Sequence, residues 1–315
     1  MLRKKIAFFI PENIYLLNFA GPFQVFQEAI NLGAKFELVL FTNRISMAEN
    51  ACFNFLPLNY YKNIELSSED YIVISGKDKS TISDKEFHHW LLEQHFNNLK
   101  IVSICTGAFV LGYSGLLNDI KCTTHWKYLD MMQKAFPKAK VIGDQIYIKD
   151  KNIYTSAGVS SGIDLALSIV EEECDSKLTY AIARELVLYF RRSGAYTQKS
   201  IYLDHRNHIN TGIHNVQDYI LSNINKKTTQ AELAEIANMS VRNLTRVFKK
   251  TTGVSINSYV TEVRLEKAQN LLSETDLTID AISNECGFDD STQLRRIWSK
   301  KFKKSPSHYR DIVRC

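Results

Sequence analysis

Short, almost continuous apolar runs recur through the first half of the chain: IAFFI at 6–10, FELVLF at 36–41, YIVIS at 71–75 and IVSI at 101–104. Such β-branched and aromatic runs, with little polar alternation, predict strands covered on both faces, as in a parallel sheet. Helix-length stretches separate them. Gly21–Asn31 and Asp84–Phe96 carry apolar residues at helical spacing, so strand and helix alternate, and an α/β sandwich with a mostly parallel sheet is expected. Two more helices are expected over Gly158–Glu173 and Lys177–Phe190. The polar segment that follows, RRSGAYTQKSIYLDHRNHINTG, has two glycines and no sustained apolar period. It reads as a linker over 194–212, which leaves a first domain at 1–193 and a second at 213–315.

The second domain predicts an all-α fold with an internal duplication. Leu244, Arg246, Val247, Phe248 and Tyr259 match Leu294, Arg296, Ile297, Trp298 and Tyr309 at a constant offset of 50 residues. Upstream the register slips by one, Leu233 and Ala237 matching Ile282 and Cys286, so the second copy has a turn one residue longer, containing Gly287. Repetition at a fixed offset marks two copies of one supersecondary unit. Each copy reads as a short helix, a tight turn and a second helix. In the first copy Gln230–Asn238 is followed by Ser240, a good N-cap, and by Val241–Lys250, on which Leu244, Val247 and Phe248 share one face. Arg242, Thr245, Arg246 and Lys249 share the other. In the second copy Leu294, Ile297 and Trp298 face inward, and Thr292, Arg295, Arg296 and Ser299 face outward. Two helices joined by a tight turn, the second with a basic outer face, describe a helix-turn-helix. A solvated charged face is the alternative for any one such helix; its duplication favours the DNA reading. Phe248 and Trp298, at helical spacing with Leu and Val or Ile, are expected in the core.

Charge adds a direction to this division. The chain has 315 residues and a formal net charge of +5. Residues 1–204 hold 22 basic and 22 acidic side chains, whereas residues 205–315 hold 17 basic and 12 acidic. The excess belongs to the helical part, and 291–310 has seven Lys/Arg and no Asp or Glu. Arg can donate a bidentate pair to guanine, Gln can pair with adenine, and Thr or Ser can reach base edges. Lys250, Lys300, Lys301, Lys303 and Lys304 would neutralise phosphates. An apolar content of 45% with 23% charged residues excludes disorder, collagen and coiled coil. The run Ile6–Ile10 is too short for a signal sequence or a membrane span, so a cytoplasmic protein without a membrane partner is expected. Six cysteines at 52, 105, 122, 174, 286 and 315 have no C-x-x-C or zinc-type spacing. Most are expected to be reduced core thiols, with no metal or other cofactor.

With LAEIANMSVRNLTRVFKKTTG, RLEKAQNLL and ISNECGFDDSTQLRRIWSKKFKKSPSHYR, residues 213–315 resemble the AraC/XylS family of transcription regulators. Carried over by position, the resemblance implies that Arg242, Thr245, Arg246 and Lys249 address one major-groove segment of double-stranded DNA. Ser291, Thr292, Gln293, Arg295 and Arg296 address the next. A connecting helix over Asn257–Leu272 would set their spacing, about 34 Å on one DNA face. Lys303–Lys304 departs from the glycine usual there. A homodimer is implied by analogy, and RNA polymerase is a further candidate partner.

In the first domain IVSI runs into Cys105-Thr106-Gly107 and then AFVLGYSGLL. Strand, nucleophile and helix in this order resemble a nucleophile elbow, where a thiol near a helix N-terminus can have a lowered pKa. A small buried cysteine is the alternative. LLNFAGPFQVF, VSICTGAFVLGYSGLL, TTHW and IYTSAGVSSGIDLALSIVEE resemble the class I glutamine amidotransferase-like (PfpI-type) domain, in the version fused ahead of AraC-type units in GlxA-type regulators. Enzymes of that kind pair the cysteine with an acid after the first strand and a nearby His. Here the acid position holds Asn18, Thr106 replaces a frequent His, and Lys77 follows Gly76 where paired glycines are common. This favours a sensing pocket over turnover, with Asn18, Gly76, Cys105, Thr106, His125, Trp126 and Ser156 as ligand-binding candidates. The family implies an amino acid or small nitrogenous effector. A cysteine hydrolase or glyoxalase-like enzyme with a DNA-targeting tail, and a redox sensor using Cys105, remain as alternatives.

Overall fold

A computed structural model describes residues 3–45, 57–76, 79–143, 145–188, 192–194, 196, 198 and 205–314. The chain divides into two compact units, Met1–Gln198 and Lys199–Cys315. In the first, the strands are β1 (Lys4–Phe9), β2 (Phe36–Thr42), β3 (Leu58–Tyr60), β4 (Tyr71–Ser75), β5 (Lys100–Ile104), β6 (Lys121–Cys122), β7 (Lys140–Val141), β8 (Tyr147–Asp150) and β9 (Ile153–Ser156). The helices are α1 (Leu16–Asn31), α2 (Lys79–Ser83), α3 (Lys85–Phe96), α4 (Gly107–Tyr113), α5 (Leu129–Ala135), α6 (Ser160–Glu173) and α7 (Ser176–Glu185).

Among the described residues, seven strands form one sheet in the order β3-β2-β1-β4-β5-β9-β8, parallel except for the β8–β9 pair. The apolar runs are continuous because alternate residues serve opposite layers. Ile6, Phe8, Tyr71, Val73, Val102 and Ile104 pack in the layer containing residues of α1, α6 and α7. Ala7, Phe9, Ile72, Ile74 and Ile101 pack in the layer containing residues of α3, α4 and α5. The neighbours of β1 reverse direction at β4, and such a switch point places a crevice at the carboxyl ends of the strands.

Several elements differ from the sequence expectation. Helix α1 begins at Leu16, ahead of Gly21. Helix α4 stops at Tyr113, with Gly115 left-handed at φ 77°, instead of running through Leu117. Helix α7 ends at Glu185, and Val187 takes φ 53°; Phe190 lies outside the described residues. Cys105, Cys122 and Cys286 are buried, but Cys174 is exposed. It caps α6 at a surface turn and is no core thiol. Cys52 and Cys315 lie outside the described residues.

At the amino ends of the strands, Glu173 receives Lys100 Nζ at 2.7 Å, Tyr71 Oη at 2.5 Å and Lys4 Nζ. Burial raises the carboxyl pKa, but the bonds from Lys100, Lys4 and Tyr71 outweigh it and hold the group at about 2, below its ordinary 4.5. The cluster therefore stabilises fully above pH 4.5 and is lost as pH falls through about 2. Glu173→Gln is expected to cost about 2 kcal/mol at neutral pH and to flatten that limb of an acid titration followed by circular dichroism.

The second unit contains α8 (Thr211–Ser222), α9 (Gln230–Ile236), α10 (Val241–Thr252), α11 (Ile256–Glu274), α12 (Ile279–Glu285), α13 (Ser291–Phe302) and α14 (Pro306–Arg314). One core joins α8, α9 and α10 to the first half of α11 through Tyr259 and Val263. The other joins α12 and α13 to its second half through Leu265, Ala268 and Leu272. Phe248 and Trp298 are fully buried, one in each. The duplication extends to the backbone. Gly253 ends α10 at φ 81°, and Lys303, 50 residues later, ends α13 at φ 57°. Lysine thus adopts the left-handed turn that glycine occupies in the first copy, and the turn itself is preserved. A Cβ in that region costs about 1–2 kcal/mol, so Lys303→Gly is expected to stabilise the unit by about 1 kcal/mol net of the unfolded-state entropy of glycine. Thermal unfolding of the two proteins is the check.

Candidate functional site

The helices expected to meet DNA are fixed by their starts. Ser240 Oγ accepts from Asn243 N at 3.3 Å, and Asp290 Oδ1 accepts from Gln293 N at 2.6 Å. These caps satisfy donors that an α-helix leaves open at its first turn. Burial along α10 and α13 then follows the same sequence from the second residue to the tenth. Leu244 and Phe248, like Leu294 and Trp298, point into the cores, while Arg242, Thr245, Arg246, Lys249, Thr292, Arg295 and Arg296 are exposed. Ser291 and Gln293 are half-buried. No Asp or Glu occurs in either helix, and Lys249 and Lys250, like Lys300 and Lys301, occupy the last turns. Their charge there also complements the helix dipole.

Two side chains of these helices are already engaged within their own helix starts. Arg246 Nη2 donates to Asn243 Oδ1 at 2.8 Å, which restrains the guanidinium one turn away on the same face. Gln293 closes the start of α13: its Oε1 accepts from Asp289 N at 2.8 Å and its Nε2 donates to Asp289 Oδ2 at 2.9 Å. Its amide is occupied within the turn, unlike the free adenine reader suggested by position. The spacing Asp290-x-x-Gln293 is a capping-box signal and was legible.

The second constellation lies at the carboxyl ends of β1, β4, β5 and β9. Cys105 adopts φ 59° between β5 and α4, the sharp left-handed turn of an elbow. Its N–H donates to Ser156 O at 2.9 Å, and its carbonyl accepts from Thr124 Oγ1 at 2.8 Å. Gly158, at φ 105°, passes so close that a Cβ there would stand 2.4 Å from Cys105 Cβ. Gly107 likewise lets α4 lie against β4, where an added Cβ would fall 2.2 Å from Ile74 O. Gly76, buried at φ 98°, approaches the same turn beside Thr106. Lys77 lies outside the described residues.

Asn18 is 2% exposed and faces the thiol with a hydrogen bond. Its Oδ1 also accepts from Val159 N at 2.8 Å. Val159 holds φ 48° and ψ −112°, strained for a β-branched residue. The thiol pKa departs from the elbow expectation: burial pushes it up, outweighing hydrogen bonds from the Thr106 backbone, Asn18 and the Thr106 side chain. Burial thus favours the thiol over the thiolate at Cys105. Burial, followed by the nearby Lys127 charge, lowers the His125 pKa, and His125 Nδ1 accepts from Lys127 N at 3.3 Å. No hydrogen bond joins His125 to Cys105 among the described residues. Trp126 is 49% exposed and tilted beside His125. Ser156 is fully buried, with Oγ directed to Ser103 O at 3.5 Å; its contribution is the carbonyl that holds the elbow.

This elbow, on this sheet, agrees with the match of residues 4–172 to the DJ-1/PfpI family model. The chain belongs to the DJ-1/PfpI family. Behind its PfpI domain, residues 233–312 match a helix-turn-helix domain model. The transcriptional regulator GbdR of Pseudomonas aeruginosa is 27% identical over 238 residues, covering 75% of this chain and 64% of that protein. The chain therefore spans less than two thirds of that relative. The transcriptional regulator GlxA of Rhizobium meliloti is 22% identical, covering 78% and 75% of the two chains. A ThiJ/PfpI family protein of Pseudomonas syringae superposes with a TM-score of 0.52 at 18% identity, covering 76% of this chain and 90% of that one, which shows the shared fold. No helix among the described residues is long and apolar enough to cross a membrane.

Proposed function

We propose that the chain is a sequence-specific DNA-binding transcription regulator whose PfpI unit senses a small molecule. The observation that carries the DNA reading is the repeated face of α10 and α13, basic and hydroxyl-bearing, free of acids and capped alike. Arg242, Thr245, Arg246 and Lys249 address one major-groove segment, and Ser291, Thr292, Arg295 and Arg296 the next, with Gln293 holding the start of α13. Selection from random duplexes with the purified full chain should enrich a two-part site; failure to enrich any sequence would end this reading. Lys304→Ala should weaken binding to all sequences and lower the salt slope by about 1, as expected for one phosphate contact.

The sensing reading rests on the groups at the carboxyl ends of the strands: Asn18, Gly76, Cys105 and Thr106 around the elbow, Ser156 behind it, and His125 and Trp126 following Thr124, which holds the Cys105 carbonyl. An amide facing a protonated thiol offers a donor and an acceptor but no general base, which favours binding over turnover. An amino acid or other small nitrogenous compound suits these groups. Gln198 Nε2 donates to Thr123 Oγ1, Thr124 O and Gln145 O at 2.8, 3.0 and 3.1 Å, and Thr124 also holds the Cys105 carbonyl. Occupancy at the elbow thereby reaches the linker over 194–212 through one residue. In a metabolite thermal-shift screen of the full chain, a hit should be lost in Asn18→Ala and His125→Ala; Gln198→Leu should keep the thermal shift and lose the effect of the metabolite on DNA affinity.

The strained elbow favours one competing reading, an active cysteine enzyme. Hydrolase or methylglyoxal activity that disappears in Cys105→Ala would replace the sensing role. The regulator is expected to act as a homodimer on paired sites, with RNA polymerase as a further partner.

A further inference from the structure

The two helix-turn-helix cores are separate clusters that share α11. A single 19-residue helix fixes their separation, but bending and twisting of that helix would still rotate one recognition helix against the other. A second set of contacts opposes this. Arg264, in the middle of α11, donates from Nε to Ile224 O at 3.1 Å and from Nη2 to Lys226 O at 3.0 Å. Those carbonyls follow the end of α8, in the first copy. One turn later Lys267 Nζ donates to Glu285 O at 2.6 Å, the last residue of α12 in the second copy. Two cations three residues apart lie on one helix face, and each takes carbonyls at the end of a helix, where cations are favoured.

The Gly287 turn completes the arrangement. A Cβ on Gly287 would stand 2.5 Å from Ile224 O and 2.9 Å from Arg264 Nη2, so the second copy's turn rests directly on the end of the first copy's α8. Asn238 is the left-handed residue of the first turn and Gly287 of the second. Asp289 supplies the additional residue of that longer turn before the cap: it bonds Gln293 at the start of α13 and meets Lys227 Nζ at 2.5 Å. Lys227 and Asp289 are both exposed, so their ion pair contributes little by itself. The half-buried Arg264 and the close contact at Gly287 carry the brace.

We propose that Arg264 and Lys267, with Gly287, are positioning residues that set the angle between α10 and α13 and so the spacing of the two DNA segments the protein accepts. The proposal rests on the DNA-binding reading and extends it to residues that touch no base. The test uses the full chain and the duplex selected by the wild type, with one base pair inserted or deleted between the two segments. The wild type should lose 10-fold or more in affinity on either change. Arg264→Met/Lys267→Met should lose less than 3-fold, with the base preferences within each segment unchanged. Lys267→Met alone, which leaves the Arg264 bonds intact, should fall between them and serves if the double variant does not fold. A spacing penalty in the folded variants equal to that of the wild type would overturn the brace, as would a wild type indifferent to spacing. If the wild type enriches no sequence, the DNA-binding reading fails first and is identified as the cause.

Discussion

Replacing Arg246 and Arg296 together with alanine is expected to reduce binding to the selected duplex nearly to the level of random DNA. Each guanidinium stands on the exposed face of a capped helix whose opposite face is anchored in its own core by Phe248 or Trp298. A bidentate contact to a base contributes about 1–3 kcal/mol of discrimination, so each single change should cost about 5- to 150-fold at 25 °C. The sites lie in separate copies with separate cores, and their effects should add. Binding to random DNA should fall far less, because phosphate contacts by the lysines survive. Measuring both duplexes at one salt concentration separates these terms. Equal losses on specific and random DNA would show that the arginines act as charges without reading bases.

Gly158→Ala should strongly destabilise the PfpI unit. The added methyl would stand 2.4 Å from Cys105 Cβ and 2.9 Å from its Sγ, on a residue already at φ 105°. Both neighbours are fixed: Cys105 is tied to Ser156 and Thr124, and Val159 is held by Asn18. Left-handed strain and overpacking together are expected to cost about 3 kcal/mol or more, a fall of roughly 10 °C in the Tm of this unit. Cys105→Gly should recover part of that loss in the double variant, since it removes the clashing atoms and suits φ 59°. A Gly158→Ala protein that melts like the wild type would show that the turn is far looser than the packing implies.

The repeat and the elbow were both legible in the chain, for related reasons. Leu244 and Phe248, or Leu294 and Trp298, declare a buried helix face through spacing alone, and an apolar run ending in Cys-Thr-Gly declares a strand that turns. The strands β3, β6, β7, β8 and β9 were not legible, because two to four residues are too few to show a period. The state of Cys105 was not legible either. Local order suggested an activated thiol, whereas the burial that raises its pKa comes from elements distant in sequence.

Local pattern along the chain accounts for the division of labour: a neutral α/β part, a basic duplicated helical part, and the side chains each presents. Periodicity, capping residues and charge are local properties, and they survive in a one-dimensional reading. Tertiary structure decided which of these groups are free to act. Ser156 is sealed within the sheet, and Asn18 is shared between Cys105 and Val159. It also gave Arg264, an unremarked residue of a connecting helix, hold of two carbonyls 40 and 38 positions away. Hydrogen-bond partners are chosen by proximity in space, and no pattern along the chain encodes that proximity.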